Sequence, residues 1–149
     1  MPQRQIILLV DDSENDLFLM HLAFKKASCS APLQEVRNGE EAIAYLSGDG
    51  VYADRNKFPL PTMMILDLNM PKKDGFDVLV WVRAQPILKR LAIIILTAST
   101  RAADVDQAFD LGATSFLVKP SNLETLVGMV RCMDSWIKIN QFPSITADR

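Results

Sequence analysis

Five short apolar runs alternate with five stretches of helical periodicity along this chain, and no other feature narrows its fold so far. The runs occupy 5–10, 33–36, 63–66, 92–96 and 115–118, and their length, β-rich composition and flanking turn residues mark them as strands. Helical patterns cover 15–27, with Leu17, Met20 and Phe24 on one face, then 40–46, 76–84 and 102–111, the last with Val105, Ala108 and Phe109 together. The clearest helix is 122–139, where Leu123, Leu126, Val127, Val130, Met133 and Ile137 recur at spacings of three and four.

Strict alternation of this kind implies an α/β fold, with parallel strands joined by right-handed crossovers and helices on both faces of the sheet. Strands buried on both faces read as continuous apolar runs, as "IILLV" and "AIIIL" do. Local signals agree with the boundaries. Asn38 or Gly39 opens the second helix, Asp74-Gly75 the third and Ser121 the fifth, while Gly112 closes the fourth.

The chain has 149 residues, a length that favours one domain, here 1–149 with a core over about 5–139. One connection is too long for a plain turn. From 47 to 62 the sequence "SGDGVYADRNKFPLPT" carries two glycines, two prolines and little periodicity, as functional or mobile loops do. Ten residues, 140–149, follow the fifth helix as a tail, which leaves no room for an output domain and predicts a stand-alone protein.

A net charge of -2, with basic residues scattered in pairs such as Lys25-Lys26 and Lys72-Lys73, is no footprint for nucleic acid. The first apolar run is too short for a signal peptide or a membrane span, so a cytoplasmic location is expected. Cys29 and Cys132 stand far apart without metal-ligand spacing and are expected to be free thiols. His21 is the single histidine, which excludes a multi-histidine metal site or a histidine-based triad.

In an open parallel sheet, ligands bind beyond the carboxyl ends of the strands. There the first strand ends in Asp11-Asp12, the third in Asp67, the fourth in Thr97 and the fifth in Lys119-Pro120. Singly, an aspartate after a strand is a turn former or a helix cap. Collectively they are harder to dismiss, because two carboxylates about 4 Å apart repel by about 4 kcal/mol at an effective dielectric near 20. Three clustered acids require a cation or a proton. Oxygen-only ligands suit Mg²⁺, with Mn²⁺ as the alternative, and disfavour zinc and copper. Lys119 and Thr97 add an ammonium and a hydroxyl, the parts needed to hold a phosphoryl group.

The segments "LLVDDSENDLFL", "NGEEAIAYL", "ILDLNMPKKDGFDVL", "IIILTAST" and "GATSFLVKP" together resemble the receiver domain of two-component response regulators over nearly the whole chain. The resemblance implies a flavodoxin-like (βα)5 fold with strand order 2-1-3-4-5, and phosphorylation of Asp67 by a sensor histidine kinase or a phosphotransfer protein. It further implies that Asp12, Asp67 and the Asn69 backbone carbonyl bind Mg²⁺ directly, with Asp11 acting through water. Thr97, Ala98 and Lys119 would contact the phosphoryl group, Phe116 would respond as the switch aromatic, and Pro71 and Gly75 would shape the loop after the acceptor. A cis Lys119–Pro120 peptide is also implied.

The long loop, "DLNMPKKDG" and the extended last helix resemble single-domain receivers paired with bacterial phytochrome-type kinases. That similarity implies a downstream protein target and a homodimer through the fourth helix, fifth strand and fifth helix. Two other readings start from the same sheet. A haloacid-dehalogenase-type phosphohydrolase carries a second acid two residues beyond its nucleophile, where this chain has Asn69, which cannot protonate a leaving group. A flavodoxin-like cofactor binder needs a phosphate-binding loop after the first strand, where Asp11-Asp12 repel an anion.

Overall fold

The computed structural model describes residues 5–145. Its five strands are β1 (Ile7–Val10), β2 (Leu33–Val36), β3 (Met63–Leu66), β4 (Ala92–Thr97) and β5 (Ser115–Val118). They form one parallel sheet in the order β2-β1-β3-β4-β5. The helices are α1 (Glu14–Lys26), α2 (Gly39–Ser47), α3 (Gly75–Ala84), α4 (Ala102–Asp110) and α5 (Leu123–Ile139), with a 3₁₀ turn at Gly50–Ala53. The expected class and strand order are both present.

Because successive side chains of a strand point to opposite faces, the three central strands divide their apolar residues between two cores. Leu8, Val10, Met64, Leu66, Ile93 and Ile95 pack with α2 and α3, while Ile7, Leu9, Met63, Ile65, Ile94 and Leu96 pack with α1 and α5. Burial on both faces is what made these strands read as unbroken apolar runs. The outer strands β2 and β5 are only partly covered.

Side-chain caps place the helix starts. Ser13, Asn38, Asp74 and Asn122 each accept the backbone N–H three residues on, and Asp74 with Asp77 completes a capping box. The fifth helix is therefore opened by Asn122 rather than the expected Ser121, since it is the Asn122 amide oxygen that reaches Thr125 N, at 2.8 Å. Gly112 follows the end of α4 at φ 103°.

The segment 47–62 is a built element. Arg55 donates to the carbonyls of Tyr45, Leu46 and Phe58 at 2.7, 2.9 and 3.1 Å, which caps the end of α2. Tyr45, Tyr52 and Phe58 form an aromatic cluster with ring centroids 5.0–5.9 Å apart, and Thr62 then bonds to Ile6 at the start of β1. The loop thus lies at the amino ends of the strands. Beyond α5, Phe142 packs edge-on against Trp136, and Ile145 is buried with the residues of the α2–α3 core. On α4 only Ala108 is buried; Phe109, grouped with it by helical spacing, is 49% exposed.

Candidate acidic phosphoryl site

The carboxyl ends of the strands bring the expected residues together. Ligand oxygens of Asp11, Asp12 and Asp67 all lie within 4.8 Å of one another. Asp11 and Asp67 are buried, whereas Asp12 faces solvent. The apolar side chains of Leu9, Leu17, Met20, Ile65 and Leu96 line a small space together with the two buried carboxylates.

Lys119 reaches across from β5. Its Nζ stands 2.8 Å from Asp11 Oδ2, 2.7 Å from Asp16 Oδ2 and 3.2 Å from Asp67 Oδ2. Burial would lower the lysine pKa, but its hydrogen bonds to Asp11 and Asp16 and the charges of Asp11 and Asp67 outweigh this and hold it above the ordinary value. At Asp11 the balance runs the other way. Desolvation raises its pKa despite the Lys119 contact and the hydrogen bond from Ser13 N. The two directions pull against each other, one favouring the ion pair and one opposing it, and the 2.8 Å separation decides for a formed pair.

Thr97 sits at the end of β4 with no exposed surface, and its hydroxyl has no hydrogen-bond partner among the described residues. Buried polar atoms are normally paired, so this oxygen is fitted for a group that arrives. Three carboxylates and an unsatisfied hydroxyl, with no sulfur or imidazole ligand among them, fit a hard divalent cation and a phosphoryl group.

Glycine sets the loop after Asp67. A Cβ at Gly75 would meet the Asp67 carbonyl and sit 2.8 Å from Leu68 Cα, and one at Gly39 would meet the Lys73 carbonyl. The β3–α3 loop therefore rests directly on the start of α2, where Glu40 N donates to Lys72 O at 3.1 Å. Lys72 and Lys73 take φ values of 52° and 79° to make that path. Asn69 is exposed, with its N–H 3.4 Å from Asp67 Oδ1, and Pro71 is exposed beyond it.

Two further expected residues are Ala98 and Phe116. Ala98 is exposed after Thr97, and Phe116 is half-buried against the α2–α3 core. The cis Lys119–Pro120 peptide is not present, as there is no cis bond among the described residues. Trans is the intrinsically favoured isomer even before proline, and in that form Lys119 Nζ already reaches three carboxylates. Asp16 was missed. It lies inside α1 rather than at a strand end, and its one signal was a place in the first turn after Asp11-Asp12. His21, also without an assigned role, has Nε2 3.0 Å from Glu35 Oε2.

A doubly wound parallel sheet with clustered acids, a lysine and a threonine at its carboxyl edge defines a phosphoryl-handling α/β protein. The chain belongs to the response regulator receiver domain family, whose description matches residues 7–131, and so to phosphorylation-based two-component signalling. It is 36% identical over 141 residues to the response regulator Rcp1 of Synechocystis sp., covering 94% of each chain. The crystal structure of the phosphorylated cyanobacterial phytochrome response regulator RcpA superposes with a TM-score of 0.87 at 32% identity, covering 95% of this chain and 100% of that one. The Mn²⁺-bound form of Rcp1 gives 0.83 at 35% identity, covering 94% and 99%. Family membership sets aside the phosphohydrolase and cofactor-binder readings. Among the described residues no helix is long and apolar enough to cross a membrane.

Proposed function

We propose that Asp67 is the phosphoacceptor of a cytoplasmic response regulator served by a sensor histidine kinase of phytochrome type or by a phosphotransfer protein. The observation that carries this reading is the meeting of Asp67 with Asp11, Asp12 and Lys119 at the strand ends, the same edge at which β4 ends in Thr97, whose buried hydroxyl has no partner among the described residues. A carboxylate oxygen of Asp67 attacks phosphorus, the P–N bond to the donor imidazole breaks, and its electron pair leaves on that nitrogen. Asp12, Asp67 and the Asn69 carbonyl would hold Mg²⁺, or Mn²⁺ in its place, with Asp11 acting through water. The ion, once bound, neutralises charge on the transferring oxygens.

Lys119 supplies a fixed positive charge to the phosphoryl group, and Thr97 with the Ala98 backbone supplies hydrogen bonds. Pro71, Gly75 and Pro120 keep the surrounding loops in shape. Drawing the Thr97 hydroxyl onto the phosphoryl group biases the surface formed by α4, β5 and α5, with Phe116 responding through packing, because phenylalanine has no hydroxyl to offer a partner. Phe109 and Val118, 49% and 42% exposed, support an apolar docking face on α4 and β5. A homodimer or a downstream protein target would use it.

The test is incubation with Mg²⁺ and acetyl phosphate followed by intact-mass measurement. One added phosphoryl group on the wild type, absent from Asp67→Asn, is expected; equal labelling of the variant would overturn the assignment. A phosphate mimic is expected to alter the oligomeric state or the affinity for the partner.

A further inference from the structure

Lys119 has three N–H donors and three carboxylate partners, and only two of those carboxylates belong to the cluster that could take a cation. We propose that Asp16, the third, is a positioning residue that anchors the Lys119 ammonium over Asp67 while Asp11 and Asp67 exchange partners. The inference rests on the assignment of Asp67 as acceptor and Lys119 as phosphoryl contact, and it deepens that assignment.

The geometry gives Asp16 the shortest of the three contacts, 2.7 Å. Its place is fixed from the site itself. Asp11 Oδ1 accepts Ser13 N at 2.9 Å, and Ser13 Oγ accepts Asp16 N at 3.2 Å, so the turn from β1 into α1 sets the distance between the two acids. The environments differ as the roles require. The side chains of Asp11 and Asp67 are 11% and 7% exposed, whereas that of Asp16 is 34% exposed. Asp16 thus stands nearer to solvent and outside the cluster of acids that could take a cation.

When a cation and a phosphoryl group engage Asp67 directly and Asp11 through water, both compete for two of the three Lys119 partners, and Asp16 is the one left uncommitted. The lysine's four-carbon stem is flexible and carries a large rotamer entropy. Without Asp16 the ammonium would be held by nothing on the α1 side, and a charge out of place contributes little to a transition state whose stabilisation depends on preorganisation. The competing explanation is that Asp16 merely complements the dipole at the start of α1. That role would not involve Lys119.

A double-mutant cycle separates the two. Initial rates of phosphoryl incorporation from acetyl phosphate, followed by intact mass at saturating Mg²⁺, are compared for wild type, Asp16→Asn, Lys119→Met and the double variant. Loss of a charge-assisted contact to the lysine is expected to slow Asp16→Asn about tenfold, with partial recovery in Asp16→Glu. In the Lys119→Met background the same change is expected to alter the residual rate by less than about twofold. An equal factor in both backgrounds, or no slowing at all, overturns the proposal.

An independent readout is the ¹H–¹⁵N signal of the Lys119 ammonium with Mg²⁺ and beryllofluoride bound. It should be resolved in the wild type and broadened in Asp16→Asn; an unchanged signal refutes the anchor. Failure of the wild type itself to accept a phosphoryl group on Asp67 would instead fault the underlying assignment.

Discussion

Thr97 and Lys119 are joined through their backbones, the Lys119 amide donating to the Thr97 carbonyl at 2.8 Å, yet the Thr97 hydroxyl is buried without a partner among the described residues. The β4–β5 ladder therefore holds the threonine in place while leaving its polar atom unsatisfied. A buried unpaired hydroxyl costs about 1–3 kcal/mol. Thr97→Val, nearly the same shape and equally at home in a strand, is expected to raise the unphosphorylated protein's Tm by about 2–4 °C per kcal/mol recovered. The gain in Tm on adding beryllofluoride should shrink. A lower Tm in the variant would mean that the hydroxyl is already satisfied.

Asp11 carries a similar tension. Burial pushes its pKa above the ordinary carboxylate value, so the folded state binds its proton more tightly than the unfolded chain does. Stability from this group is present at low pH and is lost as pH rises through the elevated pKa. Removing the charge at neutral pH should therefore help. Asp11→Asn is expected to stabilise the metal-free protein by about 0.5–2 kcal/mol in urea unfolding at pH 7, since Lys119 retains Asp16 and Asp67. Stabilisation by Mg²⁺ should be sharply reduced. A variant less stable than wild type without metal would contradict the argument.

Gly39 tests the support under the β3–α3 loop. A side chain there would run into the Lys73 carbonyl, which the two left-handed lysines press against α2. Gly39→Ala is expected to cost about 1–3 kcal/mol by overpacking and to weaken Mg²⁺ binding, because the loop it displaces carries Asn69. Denaturant midpoints and a Mg²⁺ titration check both. Full stability together with wild-type affinity would show that the loop moves freely.

Much of this was legible because two rules act locally. Burial on both faces wrote β1, β3 and β4 as unbroken apolar runs, and the strand-end rule pointed to Asp11, Asp12, Asp67, Thr97 and Lys119 without any knowledge of contacts. What could not be read depended on partners distant in sequence or on irregular backbone. Nothing local marks Arg55 as the cap of α2, since its partners are carbonyls three to ten residues away, and a 3₁₀ turn has no periodicity to detect. Ile145 reads as tail, although it is buried with the α2–α3 core. Phe109 kept helical spacing, but α4 buries only Ala108. Asp16 escaped because a first-turn acid has an ordinary explanation, and only the three-dimensional path of Lys119 supplies another.

Tyr45 provides a test of the 47–62 loop that leaves the acidic site alone. The residue is 1% exposed, and its hydroxyl donates to Pro59 O at 2.7 Å. Burial pushes its pKa up to about 12, against about 10 for an unperturbed tyrosine. A folded-state pKa above the unfolded one contributes stability that is complete below pH 10 and is lost as pH climbs toward 12, about 3 kcal/mol in all. At pH 7, Tyr45→Phe should be less stable by about 1 kcal/mol through the lost hydrogen bond. Above pH 10 it should lose stability more slowly than wild type, so the deficit closes and then reverses. Urea unfolding at pH 7 and pH 11 measures the crossover, and parallel pH slopes would remove the tyrosine from the account. Phosphorylation from acetyl phosphate at neutral pH is expected to be unchanged, because the loop sits at the amino ends of the strands and the acids at the carboxyl ends.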